Sequence, residues 1–410
     1  MAINRHMLDQ KIKDEITRGT QISIINLVDY LIEKASDLRA SDIHIDPSNT
    51  KVRVRLRVDG VLQDAYEFPK NIHPEIISRI KVLARLRTDE HQSTQDGRFR
   101  HIFPGTENFV DIRVSIAPTY HGENAVLRLL SDKAEAFTLP SLGFSESDEK
   151  KIVHALKKSS GMIVVTGPTG SGKTTTLYTL IKMLNSKEVS IITIEDPIEY
   201  AVDDVEQIQV NPRTGLTFAN GLRSILRQDP NIIMVGEIRD AETANIAVNT
   251  ALTGHLLLST LHTNDVATTI PRLLDMGIES YLVASTVSVA IGQRLVRKIC
   301  EHCKEKVNIT PAIMESLVGM SLEKTFDKEK MSKGKGCKKC NGSGYSGRIS
   351  INEVLVADND IRDAILRKAS SAELKNIAVR NGMTTMIEDG FKKVEAGLTT
   401  IEEVLRVIHE

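Results

Sequence analysis

Tryptophan is absent from the 410-residue chain, and aromatic residues make up only 4% of it. No stretch approaches the roughly 20 consecutive apolar residues that a membrane-crossing helix requires, so none is expected. The N-terminus, MAINRHMLDQKIKDE, lacks the apolar segment of a secretory signal. A cytoplasmic location is therefore expected, where the four cysteines would not form disulfides. Neither sign of charge is in excess: 53 Lys and Arg balance 54 Asp and Glu, for a formal net charge of -1. A surface built to hold nucleic acid is usually strongly basic, so this balance argues against one. The hydrophobic share of 41% and charged share of 26% are ordinary for a globular protein, and at this length two or three domains are expected.

The hydrophobic pattern divides the chain. Residues 1–21 read as a short, loosely attached helical arm. From Ser23, residues Ile24, Leu27, Val28, Leu31, Ile32 and Ala35 recur at helical spacing. Ser41–Ile45 reads as a strand, and Val52–Val58 alternates apolar residues with Arg53, Arg55 and Arg57 before a turn at Asp59-Gly60. Ile76–Leu86 reads as a helix, and Phe109–Ile116 and Ala125–Leu130 as strands. The stretch SDKAEAFTLPSLGF (131–144) has no period and reads as a linker. Beyond it, Met162–Thr166, Val189–Ile194, Asn231–Val235 and Leu256–Thr260 are apolar strands separated by helical patterns. That alternation predicts a parallel sheet covered on both faces. The last sixty or so residues have a helical pattern.

Gly167-Pro168-Thr169-Gly170-Ser171-Gly172-Lys173-Thr174 fits the phosphate-binding pattern G-x-x-x-x-G-K-[ST], between a strand and a helix and followed by Thr175. The glycines let successive N–H groups converge on one anion, and the helix adds its positive end. Lys173 would reach the β- and γ-phosphates of ATP, and Thr174 would hold Mg²⁺. Hydrolysis needs a carboxylate near the γ-phosphate. Ile232–Val235 leads through Gly236 to Glu237, the candidate general base. A second acidic strand end carries Glu195, a further catalytic candidate, with Asp196 and Glu199 as candidate nucleotide contacts, and both acidic tips should open onto the same crevice at the carboxyl ends of the strands. Either acidic tip alone could be a loop residue or a helix cap. His255 and His262 bracket the strand after Gly254, His255 as a candidate nucleotide contact and His262 as a candidate catalytic residue; each could instead be a structural hydrogen-bonding residue, or one could sense the γ-phosphate.

Cys300-x-x-Cys303 and Cys337-x-x-Cys340 use every cysteine and suit a tetrahedral structural Zn²⁺. The alternative is four unliganded thiols. Lys324, Lys328, Lys330, Lys333, Lys335, Lys338 and Lys339 make this stretch basic, either as a solvated face or as a contact for anionic headgroups or an acidic partner.

The segments GPTGSGKTTT, ITIEDPIEY, NIIMVGEIRD and TGHLLLSTLHTND, in that order, resemble the Walker A, Asp, Walker B and His boxes of the secretion ATPase superfamily. SDIHI, QDGRFR, DIRVS and QRLVRKICEHC extend the likeness. Within that superfamily the chain resembles the type II secretion and type IV pilus-extension ATPases; the retraction ATPases lack the cysteine module. The resemblance implies an α/β protein: an arm (1–22), a PAS-like N-terminal domain (23–130), a linker (131–144), a RecA-like motor (145–298), a zinc module (299–345) and a C-terminal helical region (346–410). It implies a homo-hexameric ATPase at the inner face of the cell membrane, working on an inner-membrane platform protein and, through it, on pilins. It places nucleotide-contacting arginines at Arg98 and Arg113; the alternative on sequence alone is that each is a strand-face salt bridge. Two rival functions are a DNA-translocating motor and a nucleotide-binding scaffold without turnover.

Overall fold

The computed structural model describes residues 5–130, 137–307 and 331–409, and the chain divides by packing into Met1–Glu135 and Ala136–Glu410. In the first unit, α1 (Arg5–Thr17) precedes α2 (Ile24–Asp37). Helix α2 starts where the sequence predicts: the Ser23 side chain accepts the Asn26 N–H, and Leu27, Val28, Leu31, Ile32 and Ala35 are buried. The described part of the arm corrects the expectation of loose attachment. Leu8 and Ile12 are fully buried. Asp9 accepts a 2.7 Å bond from Lys34 and another from the Tyr66 hydroxyl, and Glu15 accepts the Ser23 N–H at 3.0 Å. Two apolar residues four apart in a polar stretch make a short stripe, but burying each contributes about 2 kcal/mol.

Six strands follow: β1 (Ala40–Pro47), β2 (Lys51–Val58), β3 (Val61–Pro69), then α3 (His73–Leu83), and β4 (Gln95–Ile102), β5 (Phe109–Thr119) and β6 (Gly122–Leu130). They form one antiparallel sheet in the order β3-β2-β1-β6-β5-β4. Asp59 (φ 50°) and Gly60 (φ 86°) make the tight β2–β3 turn. One face carries Ile43, Ile45, Val52, Val54, Ile112, Val114 and Leu127 into a core shared with the helices. The other face carries the arginines.

The second unit opens with α4 (Leu139–Leu142), α5 (Glu146–Leu156), β7 (Gly161–Thr166), α6 (Lys173–Leu184), β8 (Ile191–Glu195), β9 (Glu206–Gln209), α7 (Phe218–Ile225) and β10 (Ile232–Val235). It continues through α8 (Ala241–Leu252), β11 (Leu256–Leu261), α9 (Thr269–Asp275), α10 (Ser280–Thr286), β12 (Val287–Ile299), β13 (Lys304–Lys306), β14 (Ser332–Gly334) and β15 (Tyr345–Val356). The helices α11 (Asn359–Leu366), α12 (Ser371–Arg380), α13 (Met386–Glu395) and α14 (Ile401–His409) end it. The seven-stranded sheet runs β15-β12-β7-β11-β10-β8-β9 and is parallel except for β15. Alternate residues along each strand enter two separate cores, Met162 and Val164 on one face and Ile163 and Val165 on the other, as expected for a sheet covered on both sides.

Two expected boundaries are corrected. Residues 137–144 are packed, not linking: Thr138 and Ser141 form a capping box, Leu139 and Phe144 are buried, and Ser350 and Asn352 bond the Leu142 and Gly143 carbonyls. The region from 346 begins as strand, because β15 completes the sheet against β12 before the helices start.

Candidate functional site

Strand β7 delivers the chain to the carboxyl edge of the sheet, where residues 167–172 curl into the amino end of α6. Gly167 (φ 144°), Gly170 (79°) and Gly172 (90°) occupy conformations that side chains resist. A Cβ on Gly167 would lie 2.3 Å from the Gln293 carbonyl, and one on Gly172 2.8 Å from Gln293 Nε2. Gln293, buried on β12, also accepts the Thr176 hydroxyl at 2.7 Å, so the neighbouring strand fixes the shape of the loop. Lys173 Nζ donates to the Gly167 and Pro168 carbonyls at 2.8 and 2.9 Å. Burial pushes its ammonium down to about 8, against the opposing pull of Glu237. Ser171 Oγ is buried without a hydrogen-bond partner. A desolvated ammonium, an orphaned hydroxyl and a glycine-lined curl together fit a phosphate group. Pro168, Thr169 and Thr174 are exposed at the rim, and Thr175 is half-buried behind them.

The acid stands at the same edge of the sheet. Strand β10 ends at Val235, and the Gly236 N–H donates to the Ile194 carbonyl at 2.8 Å. Ser259 and Thr260 bond the Val235 and Gly236 carbonyls at 2.7 and 2.8 Å. A Cβ on Gly236 would stand 3.2 Å from that Ile194 oxygen and 3.3 Å from Glu195 Cα, so the position has little room for a side chain. Glu237 is held by both oxygens: Arg239 lies 2.6 Å from Oε1 and His262 Nε2 3.2 Å from Oε2. Arg239 escaped the sequence reading, although it stands two residues beyond the acid. Its guanidinium is raised by the bond to Glu237, with Asp196 adding its charge. Asp196 is exposed, and Glu199 lies half-buried with its N–H 3.4 Å from the Tyr178 hydroxyl.

Glu195 differs from the open tip expected. It is 2% exposed and accepts Thr193 Oγ1 at 2.6 Å, Gln207 Nε2 at 3.1 Å and the Tyr178 hydroxyl. Burial and Glu195 keep that phenol protonated. The carboxylate therefore braces α6, the helix that begins with Lys173, against β8 and β9.

The two histidines part company. His262 follows β11 at the carboxyl edge, where Thr166 Oγ1 bonds the Leu261 and Thr263 carbonyls at 3.1 Å. His255 precedes β11 at the opposite edge, its carbonyl accepting the Gly161 N–H at 3.2 Å and its ring meeting the Thr250 carbonyl at 3.3 Å. The expectation that His255 binds nucleotide is corrected: the strand separates it from the cradle by its full length.

In the N-terminal unit, Arg98 on β4 stands directly across from Arg113 on β5, and Arg113 across from Arg128 on β6. Arg128 in turn faces Asp42, which accepts its Nε at 3.0 Å and lies 3.5 Å from Arg57 Nε. Arg100, not Arg98, makes the bidentate pair with Asp111, at 2.8 Å for both bonds. Arg128 was missed; its signal is an arginine embedded in the apolar strand AVLRLL, as Arg113 is in DIRVS.

The four thiols converge. Cys300, Cys303, Cys337 and Cys340 place their sulfurs within 4.8 Å of one another, with contacts of 4.0, 3.8 and 3.7 Å. A tetrahedron with Zn–S bonds of about 2.3 Å has edges of about 3.8 Å, so the set fits that metal. The Cys337 and Gly344 N–H groups point at Cys340 Sγ at 3.1 and 3.3 Å, favouring its thiolate. The β13–β14 ladder and a core of Val296, Met331, Ile349, Phe391 and Val404 lie beneath. Lys324, Lys328 and Lys330 fall outside the described residues.

The family model for type II/IV secretion system proteins matches residues 18–406. The type II secretion system protein E of Xanthomonas campestris pv. campestris is 46% identical over 392 residues, covering 96% of this chain and 68% of that protein. The type IV pilus assembly ATPase PilB of Thermus thermophilus is 45% identical over 378 residues, covering 92% of this chain and 42% of that protein. The solved structure of the pilus retraction motor PilT with bound ADP is 27% identical, with a TM-score of 0.62 over 92% of this chain and 96% of that one.

Proposed function

The chain belongs to the type II/IV secretion system protein family, and from that premise we propose that it is a ring-forming ATPase powering assembly of a type IV pilus or a type II secretion pseudopilus. The observation that carries the reading is that Lys173, bonded to the Gly167 and Pro168 carbonyls after β7, and Glu237, after β10, stand at the carboxyl edge of one sheet, near enough for the Glu237 charge to act on the Lys173 ammonium. The cradle amides and Lys173 hold the β- and γ-phosphates. Glu237, its plane fixed by Arg239 and His262, takes the proton of a water whose oxygen attacks the γ-phosphorus. The bond to the bridging oxygen breaks, and ADP leaves with that electron pair. Mg²⁺ would supply charge neutralisation, with the exposed Thr174 hydroxyl as its protein ligand and no carboxylate from position 236.

The arginine row on the N-terminal unit supports a ring. Guanidinium groups on a separate domain can neutralise developing phosphate charge when that domain closes on a nucleotide. Six copies firing in turn would convert closure into work on a membrane-embedded platform protein and, through it, on pilins. Among the described residues no helix is long and apolar enough to cross a membrane, which suits a peripheral subunit at the inner face. The cysteine set favours an assembly motor over a retraction motor.

Phosphate release and nucleotide binding by the purified chain test this. Glu237→Gln is expected to bind ATP as the parent does and to lose about 10²- to 10⁴-fold in turnover. Full turnover in that variant removes Glu237 as the base, and absence of turnover in the parent replaces the motor with a binding scaffold.

A further inference from the structure

Thr166, Gly292 and Glu353 form one row across three adjacent strands: Gly292 on β12 pairs with Thr166 on β7 and with Glu353 on β15. The segment that follows His262 is tied down at both ends of that row. On one side Thr166 Oγ1 accepts the Thr263 N–H at 3.1 Å. On the other, Glu353 Oε1 accepts the Val266 N–H at 2.9 Å. The glycine between leaves space for the crossing: a Cβ there would lie 2.9 Å from Glu353 Cγ and 3.0 Å from Val266 Cγ1. The second oxygen of Glu353 accepts the Met386 N–H, at 3.3 Å, in the first turn of α13. Glu353 is 2% exposed.

A buried carboxylate is an expensive way to satisfy two amides. A purely apolar packing of the same volume would hold β15 to its neighbours as well. What the carboxylate does that an apolar side chain cannot is join two backbone segments, the histidine loop and the C-terminal helices, at one point. We propose that Glu353 is a positioning residue for ATP hydrolysis: through Val266 it holds the loop that sets His262 against Glu237, and through Met386 it links that loop to α13. The inference rests on reading Glu237 and His262 as the hydrolytic centre. Gln293 on the same strand shapes the phosphate loop, so adjacent residues of β12 serve the two halves of the site, Gln293 the cradle and Gly292 the histidine loop.

The test compares Glu353→Gln, Gly292→Ala, His262→Ala and the double variant Glu353→Gln/His262→Ala in the full chain. Glutamine can accept only one of the two amides and presents a donor to the other. Glu353→Gln is expected to lower kcat about tenfold or more while leaving the KM for ATP within about twofold, because a misplaced catalytic contact acts on turnover and not on phosphate binding. In the His262→Ala background the same substitution is expected to change kcat by less than about twofold, since the two act as one unit. Without nucleotide, hydrogen exchange of the Val266 amide is expected to quicken in Glu353→Gln. Should Glu353→Gln fail to fold, Gly292→Ala pushes on the same contact from β12 and is read the same way. An unchanged kcat, or losses that add in the double variant, overturns the proposal. Full turnover in His262→Ala instead removes the reading of the site beneath it.

Discussion

Arg98 and Arg113 face each other across two antiparallel strands, and Arg128 continues their row. Like charges placed opposite one another on a sheet are destabilising. Asp42, the acid at the end of the row, takes Arg128 and Arg57, and Asp111 takes Arg100. In the proposed motor the same row would meet nucleotide phosphate, an anion that would offset its cost to the sheet.

Arg98→Ala is accordingly expected to leave the folded protein unchanged or up to about 1 kcal/mol more stable, while turnover falls. Thermal unfolding and phosphate release on the same preparation decide it. A strand-face salt bridge would give the reverse, a loss of stability with turnover intact.

The Lys173 ammonium carries its own pH signature. Its folded value is pushed down to about 8 by burial, from 10.5. Below pH 8 both folded and unfolded chains carry the proton, and the folded state bears the full penalty of burying it. Between pH 8 and 10.5 the unfolded chain binds more protons, so stability rises with pH through that window. Lys173→Met is expected to stabilise the protein by about 2 kcal/mol at pH 7, to lose that advantage near pH 10, and to abolish ATP binding. In the parent, ATP affinity should be flat below pH 8 and weaken above it as the ammonium deprotonates. Calorimetric titration across pH 6.5–9.5 measures this, and a flat profile rejects it.

How much of this was legible in the sequence follows from range of interaction. The phosphate loop, Ser23 as a helix start and the paired cysteines are local patterns, and each lies where the sequence places it. The second acidic box was legible as an acid at a strand end, but not that Glu195 would be enclosed by Tyr178, Thr193 and Gln207, which come from three elements. His255 and His262 look equivalent in a string; only the direction of β11 assigns them to opposite edges. The docking of α1 rests on Ile12 joining a core built from residues as far along the chain as Leu127, and on Leu8 being buried beside it in sequence. Gln293 opens the quoted segment QRLVRKICEHC and Glu353 lies in none of the quoted segments, but neither role could be read there, because both exist only once β12 and β15 lie beside β7.

The cysteine set makes a prediction about the lower core. One Zn²⁺ per chain is expected by elemental analysis. Cys340→Ser is expected to lose it and to unfold the β13–β14 ladder, which has only three residue pairs to hold it. The phosphate cradle stands on a different core, so ATP binding should survive. A variant that keeps its metal, or a parent that carries none, ends the zinc assignment.

Glu403 on α14 gives the last test, because it fastens the C-terminal helix to the strand that leads into the first cysteine knuckle. Its carboxylate is 2% exposed, accepts the Arg297 N–H at 3.0 Å, and lies 2.6 Å from the Arg297 guanidinium and 3.0 Å from that of Arg406. Arg297 also stacks over Tyr345, 4.2 Å from the ring centre. Burial alone would raise the carboxyl, but the bonds from Arg297 and Arg406 outweigh it and hold it down at about 2, against 4.5. A depressed carboxyl contributes stability that is complete above its unfolded value and is lost as pH falls from about 5 towards 2. The contribution is about 3 kcal/mol at neutral pH. Glu403→Gln is therefore expected to lower the unfolding midpoint at pH 7 by roughly 5–10 °C and to cost progressively less as pH falls through 4 towards 2. Scanning calorimetry of parent and variant at pH 7 and pH 3 compares the two. A gap of equal size at both would mean that the side chain acts through its shape alone, and the charge argument would fail.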